Sequence, residues 1–362
     1  MNDLENARQI INEVDKEMAG LFIKRMEAVK TVAEYKRLHG TQVTDNAREA
    51  EVIRRNSALV EDEDLKSYYI SFLQHNMDIS KNFQHKLLEG MRVAFSGVEG
   101  AFANIAACKV FPDAVAVPYP DFKSAYDSVV NGESDCVILP IENSFNGDVG
   151  QVMDLAFFGS LYINGVYDIG VVQNLLAIKG TTMDQVKSVI SHSQALGQCA
   201  DYIKKHGFET QEAVNTAVAA KQVAEMGRHD IAAIASDEAA EKYGLKKLEA
   251  HINSSGSNTT RFAVFSRTAK SPSKADNHFI MLFTVTNEAG SLGKAISIIG
   301  ENGFNLRALK SRPTKELIWN YYFFVEGEGN INSPEGMKML SELKSKCSEL
   351  RVIGSFEKEI SL

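Results

Sequence analysis

From Asp3 to about His39 the chain has no proline and one glycine, and apolar residues return at Leu4, Ala7, Ile11, Val14, Met18, Leu21, Ala28, Val32 and Tyr35. Steps of three and four are the spacing of a helix face, and over this length they make a heptad seam. Such a helix extends about 55 Å at 1.5 Å per residue, more than a small domain needs, so the seam is expected to pack against a second copy of itself. After His39-Gly40-Thr41 a second helix is predicted from about Asp45, a good N-cap residue, to Leu59. A third runs from about Asp64 to Leu88 and stops at Glu89-Gly90, giving an all-α first domain over residues 1–90.

From Met91 the period changes. Short apolar runs alternate with helical stretches: Arg92 to Phe95, Ala114 to Val117, a helix from about Asp121, Cys136 to Pro140, a helix from about Asp148, and Val186 to Ile190. This alternation predicts an α/β domain over residues 91–268 with a largely parallel sheet. Thr268 to Asn277 has no period and reads as a linker, bounded at 269–277. Residues 278–362 then read as strand Phe279–Thr286, helix Ser291–Asn302, strands Asn305–Ser311 and Leu317–Glu326, helix Pro334–Cys347 and strand Arg351–Phe356. That order is βαββαβ, an α+β ferredoxin-like unit.

With 362 residues, 44% of them hydrophobic, the chain has enough material for several cores. No run of about eighteen apolar residues occurs, and Met1-Asn2-Asp3-Leu4-Glu5 is polar and acidic, so no membrane span and a cytoplasmic location are expected. The net charge of −8 argues against a nucleic-acid surface and requires any anionic ligand to meet cations gathered locally. Cys108, Cys136, Cys199 and Cys347 form no C-x-x-C pair. They are expected to be reduced and mostly buried thiols, with no metal and no cofactor indicated.

One seam position of the first helix, Arg25, is charged where an apolar residue is expected, and a helix does not bury a lone guanidinium without a partner. Lys36 returns to within about 20° of the same face, whereas Arg8 falls about 100° away and about 25 Å along the axis. Arg8 therefore suits the pocket of an antiparallel partner better than that of its own chain. On geometry alone all three also read as ordinary surface cations. The series Arg8, Asp15, Arg25, Lys36, Asp45-x-x-Arg48-Glu49 and Ser80-x-x-x-Gln84 resembles the active site of the all-helical chorismate mutases. That resemblance implies an intertwined dimer in which Arg25 and the partner copy's Arg8 grip the two carboxylates of chorismate. Lys36 and Gln84 would donate to the ether oxygen, Glu49 would meet the ring hydroxyl, and Asp45, Arg48 and Ser80 would complete the wall.

In the α/β domain, Gly97-x-x-Gly100 lacks the third glycine and acidic ligand of a dinucleotide loop. The strand ending in Pro140-Ile141-Glu142-Asn143-Ser144 opens on a polar turn, where open α/β sheets place ligands, and Ser254 to Thr260 leads into the apolar run Phe262 to Phe265. By spacing alone these are also plain turns, and a lone His192 is more often a packing or capping residue. Pro-Ile-Glu-Asn-Ser followed by glycine, Ser191-His192-Ser193-Gln194 with Gln198-Cys199, and Asn258-x-Thr260-Arg261-Phe262 together resemble the signatures of prephenate dehydratases. By that resemblance the domain is two-lobed, like a periplasmic binding protein, with prephenate between the lobes. The chain is expected to leave the first lobe near Phe158–Tyr167 and return near Ile231–Asp237. Thr260 would be the proton donor to the departing hydroxyl, and Glu142, Asn143, Ser144, His192, Gln194, Gln198, Arg261 and Phe262 would line the substrate. Ala103 and Asn174 depart from the family pattern, which has a serine and a histidine there.

Gly290-Ser291-Leu292 and Ser311-Arg312-Pro313 resemble the effector motifs of amino-acid-sensing ACT domains, with Lys310 where a glutamate is common. The three resemblances imply a bifunctional chorismate mutase/prephenate dehydratase, a homodimer or dimer of dimers, inhibited by phenylalanine. The alternatives are a non-catalytic sensing protein with a binding cleft, or an arogenate dehydratase.

Overall fold

The periodic opening segment folds as one helix, α1 (Asp3–His39), in a computed structural model that describes residues 2–254, 258–314, 321–358 and 360–362. Asn2 and Glu5 form a capping box at its start, and Gly40, at φ 65°, closes its end in the left-handed conformation a side chain would resist. Asp45 caps α2 (Asn46–Ser57) by accepting from the Arg48 amide at 3.0 Å. Asp62 caps α3 (Glu63–Glu89). These helices make up one of two compact units, Met1–Arg92. Among the described residues of the three helices only Ala33 and Leu73 are fully buried apolar side chains, while Leu4 is 57% and Leu21 66% exposed. A core that small does not stabilise helices of this length by itself.

The second unit, Val93–Leu362, begins with β1 (Arg92–Ser96), α4 (Phe102–Val110), β2 (Val115–Tyr119), α5 (Phe122–Val130), β3 (Cys136–Asn143), β4 (Gly147–Asp148), α6 (Gly150–Phe158) and β5 (Tyr162–Gly170). The chain then crosses to a second sheet. Its elements are β6 (Asn174–Ala177), β7 (Ser188–Ser191), α7 (Ser193–Gln198), α8 (Ala200–His206), β8 (Glu209–Glu212), α9 (Thr216–Met226), β9 (Ile231–Ala235), α10 (Asp237–Tyr243) and β10 (Lys246–Glu249). The strand order there is β10-β6-β9-β7-β8. Two expectations are corrected. The sheets are mixed: β3 pairs parallel with β1 but antiparallel with β11 (Thr259–Ser266), and in the second sheet β6 runs antiparallel to both its neighbours, β9 and β10. The return to the first lobe is β11, since Ile231–Ala235 is the wholly buried centre of the second sheet, as its unbroken apolar run requires.

The C-terminal elements are β12 (His278–Thr284), α11 (Ser291–Glu301), β13 (Asn305–Pro313), β14 (Tyr321–Glu328), α12 (Pro334–Lys344), β15 (Glu349–Phe356) and β16 (Ile360–Ser361). The order β13-β14-β12-β15, antiparallel throughout, is the ferredoxin-like arrangement. Residues 317–320 of the expected third strand lie outside the described residues. This sheet continues the first one, because β15 pairs with β5 at Gly354 and Ile163. Strand β12 shows why. Phe279, Met281 and Phe283 pack beneath α11 and α12, while Ile280 and Leu282 join Met153, Ala156 and Leu161 of the first lobe. A central strand apolar on both faces needs a cover on each.

Among the described residues no helix is long and apolar enough to cross a membrane. Cys108 is exposed, Cys136 and Cys199 are buried, and Cys347 is half-buried. Burial pushes the Cys199 thiol up to about 12 and the Cys347 thiol to about 11. Neither is a nucleophile near neutral pH.

Candidate active sites

In the helical unit the phase argument for Arg25 and Lys36 holds within one chain. Both line a cavity of about 190 Å³ with Asp45, Arg48, Glu49, Ser80 and Gln84. The Arg25 guanidinium donates to the Ser80 hydroxyl, and burial lowers its pKa below the ordinary arginine value. The Lys36 ammonium donates to the Val43 carbonyl at 2.6 Å. Gln84 donates to the Ser80 carbonyl at 3.3 Å, and its Oε1 is buried without a partner. Arg8 and Asp15 are exposed and do not line this cavity. Sequence reasoning missed Lys81, which lines it and bonds Glu49 at 3.1 Å and Asp78 at 2.9 Å. Its spacing, one residue beyond Ser80, was the available signal.

Between the two lobes of the second unit lies a cleft of about 670 Å³. Strands β3 and β11 bring Asn143 opposite Thr260. The Asn143 amide donates to Thr260 Oγ1 at 2.9 Å and to Asn258 Oδ1 at 3.0 Å, while its own carbonyl oxygen accepts from the Phe145 and Asn146 amides. Asn143 is thus fixed at both ends, and it occupies a lone pair of Thr260, which leaves that hydroxyl proton to point elsewhere. His192, Gln194, Gln198 and Phe262 line the same cleft. His192 is also the N-cap of α7, accepting from the Gln194 amide at 3.3 Å. The start of α9, at Asn215 and Thr216, lines the cleft as well and was not expected. Nor was Gln173, 2% exposed, whose Nε2 reaches Gln198 at 3.4 Å.

Three expected cleft residues stand elsewhere. Ser144 is exposed and ties the turn to β11 through the Thr259 amide at 3.0 Å. Glu142 and Arg261 are absent from the lining and bond each other at 3.0 Å. Side chains alternate along a strand, so with Thr260 and Phe262 toward the cleft, Arg261 lies on the opposite face. Burial pushes the Glu142 carboxyl up, but hydrogen bonds from Arg261 and Lys310 outweigh it and hold the group below the usual carboxylate range. Ala103 lines the cleft, and Asn174 is buried, bonding the His251 amide at 3.1 Å. Ser255, Gly256 and Ser257 of the stretch before β11 lie outside the described residues.

In the C-terminal unit Gly290, at φ 85°, opens α11 in a left-handed turn, and the Ser291 hydroxyl bonds that of Thr286 at 3.0 Å. Leu292, in the first turn of that helix, is half-buried against the core of this unit. A cavity of about 510 Å³ lies beside this turn, lined by Asn287, Glu288, Thr314 and Tyr321 among others. Ser311 and Pro313 are exposed. Arg312 turns instead to the first lobe and grips Asp154 at 2.7 and 3.0 Å, with the Tyr322 hydroxyl on the same carboxylate at 2.8 Å.

Comparison with known proteins adds to this geometry. A family model for chorismate mutase type II matches residues 7–85, and one for prephenate dehydratase matches residues 93–270. The solved structure of GqqA, described as a novel type of quorum quenching acylase, is 28% identical with a TM-score of 0.69, covering 74% of this chain and 97% of that one. The solved prephenate dehydratase of Arthrobacter aurescens, in complex with L-Phe, is 25% identical with a TM-score of 0.69, covering 74% of this chain and 90% of that one. The bifunctional chorismate mutase/prephenate dehydratase of Buchnera aphidicola (subspecies Acyrthosiphon pisum) is 29% identical over 374 residues, covering 99% of this chain and 97% of its own. With both family models matched in order, and a relative matched along nearly its whole length, the chain belongs to the bifunctional chorismate mutase/prephenate dehydratases.

Proposed function

We propose that chorismate is rearranged to prephenate in the Arg25–Gln84 cavity and that prephenate loses carbon dioxide and hydroxide in the Asn143–Thr260 cleft to give phenylpyruvate. The rearrangement is pericyclic and needs no nucleophile, only enforced geometry and donors aimed at the ether oxygen as the C–O bond breaks. Lys36 and Gln84 take that role, and Arg25 with the Arg8 of a second copy holds the carboxylates. In the cleft the observation that carries the assignment is the 2.9 Å bond from Asn143 to Thr260 Oγ1. It orients the hydroxyl so that its proton reaches the leaving hydroxide, which departs as water while the carboxylate C–C bond electrons aromatise the ring. Gln198 and the N–H groups at the start of α9 suit the remaining carboxylate.

The C-terminal ferredoxin-like unit is read as an ACT domain that binds phenylalanine near the Gly290 turn and inhibits dehydration. The L-Phe complex of the Arthrobacter relative supports this reading. Purified full-length chain given chorismate should release prephenate and then phenylpyruvate, the second step slowed by phenylalanine. Accumulation of prephenate with no phenylpyruvate would overturn the cleft assignment, and an unchanged chorismate pool would overturn both.

A further inference from the structure

Behind the cleft, β13 presents Lys310 and Arg312 to the wall that carries Asn143. The Lys310 ammonium donates to Glu142 Oε1 at 3.0 Å and to Asp148 Oδ1 at 2.5 Å. Its side chain is only 14% exposed. Glu142 and Asp148 are register partners across the β3–β4 turn, and Asp148 lines the cleft. The second oxygen of Glu142 accepts from Arg261, which also pairs with Glu326 at 3.0 Å and lies 3.8 Å from Asp168. Four carboxylates, Glu142, Asp148, Asp168 and Glu326, therefore share two cations, Arg261 and Lys310. Two positions on, Arg312 packs against the bare Cα of Gly150, where a Cβ would stand 2.2 Å from its Nη1, and holds Asp154 of α6. The segment 147–154, of which residues 147–151 line one wall of the cleft, is thus braced from the C-terminal unit.

We propose that Lys310 is a positioning residue for dehydration. By clamping Glu142 to Asp148 it fixes the turn that aims Asn143 at Thr260, and it offsets carboxylate charge at the edge of a cleft that must admit a dicarboxylate. Without it, two carboxylates face each other across paired strands with Arg261 left to serve three partners, and like charges directly opposite destabilise such a pair. The lowered carboxyl of Glu142 agrees with a group held ionised by both cations. The inference rests on the reading of the Asn143–Thr260 cleft as the dehydratase site. It assigns the C-terminal unit a part in turnover that operates with no effector bound.

The test uses full-length chain assayed with prephenate in the absence of phenylalanine. Lys310→Met should lower dehydratase kcat/KM about 10- to 100-fold, the loss expected for a misplaced reacting group. The KM part should grow at low ionic strength, where an uncompensated rim charge repels the substrate most. Lys310→Arg should restore most of the activity. In a Glu142→Gln background the Lys310→Met loss should shrink, because residues acting through one network are not additive. Mutase rate and the thermal unfolding curve of the same samples report folding. Normal kcat/KM in Lys310→Met, no rescue by arginine, or a full additive loss with Glu142→Gln would overturn the proposal. Thr260→Val run alongside separates the two readings: if it keeps normal dehydratase activity, the cleft assignment has failed rather than the role of Lys310.

Discussion

Thr260 stands where a polar loop becomes a buried strand, and its hydroxyl is the part of the cleft whose loss is cleanest to read. Thr260→Val keeps the branched shape and the strand pairing, and removes one oriented donor. Its dehydratase rate should fall about 100- to 1000-fold while prephenate formation from chorismate is unchanged, both followed in one coupled assay. Asn143 and Thr260 were picked out by the family motifs that carry them; by position alone Asn143 closes one apolar strand and Thr260 opens another, as plain turns also do. That Glu142 and Arg261 turn away from the cleft was less legible. The family motifs place all four in the cleft, whereas alternation puts strand neighbours on opposite faces and decides between them only once Thr260 and Phe262 are seen to line it. In the sequence Lys310 stands out only as a cation where ACT domains commonly carry a glutamate. Its partners Glu142 and Asp148 come from a segment no local pattern links to it.

At the scale of elements, α1, α2, α3, α11 and α12 were readable to within about three residues, because caps such as Asp45 and Ser333 are local signals, whereas the short helices α7 to α10 of the second lobe were not placed at all. The strands were readable as strands but not in their order, since an unbroken apolar run says that both faces are covered and not by what. Ile231–Ala235 and Phe262–Phe265 look alike on that test, and only the sheet tells the inner strand from the returning one. The junction of β15 with β5 has its own signature in Gly354. A Cβ there would lie 2.7 Å from the Ile163 carbonyl oxygen, a backbone atom that cannot move aside. Gly354→Ala should destabilise the second unit by about 1 to 3 kcal/mol, as overpacking does. Calorimetry should show its transition lowered and that of the helical unit unmoved.

For the molecule as a whole, the exposed seam of α1 and the cavity that Arg8 does not reach both ask for a second copy. Arg8→Ala and Arg25→Ala chains, each inactive as a mutase, should regain part of the activity when mixed and allowed to exchange subunits, because a hybrid dimer carries one intact site. Exchange proved by mass or fluorescence with no recovered activity would sink the shared site. The heptad spacing is the sequence's own argument for that second copy. The fusion of the dehydratase lobe with the C-terminal unit was not legible, since a polar linker at Thr268–Asn277 suggested separable pieces.

The single core that Ile280, Leu282, Tyr322, Phe324 and Ile353 share with Met153, Ala156 and Leu161 also sets an order of events on the ribosome. Strand β3 waits for β11, more than a hundred residues later, and β5 waits for β15, whose Gly354 follows Ile163 by about 190 residues. Contacts so distant in sequence form slowly, and until they do, the apolar side of α6 and the bare edge of β5 are open to neighbouring chains. A chain stopped after Ala269 should therefore collect in the insoluble fraction on expression, while the helical segment ending at Gly90 stays in solution. A stall before β15 is made would leave the same sticky species, which makes the emergence of residues 278–356 the step at which a nascent chain escapes aggregation.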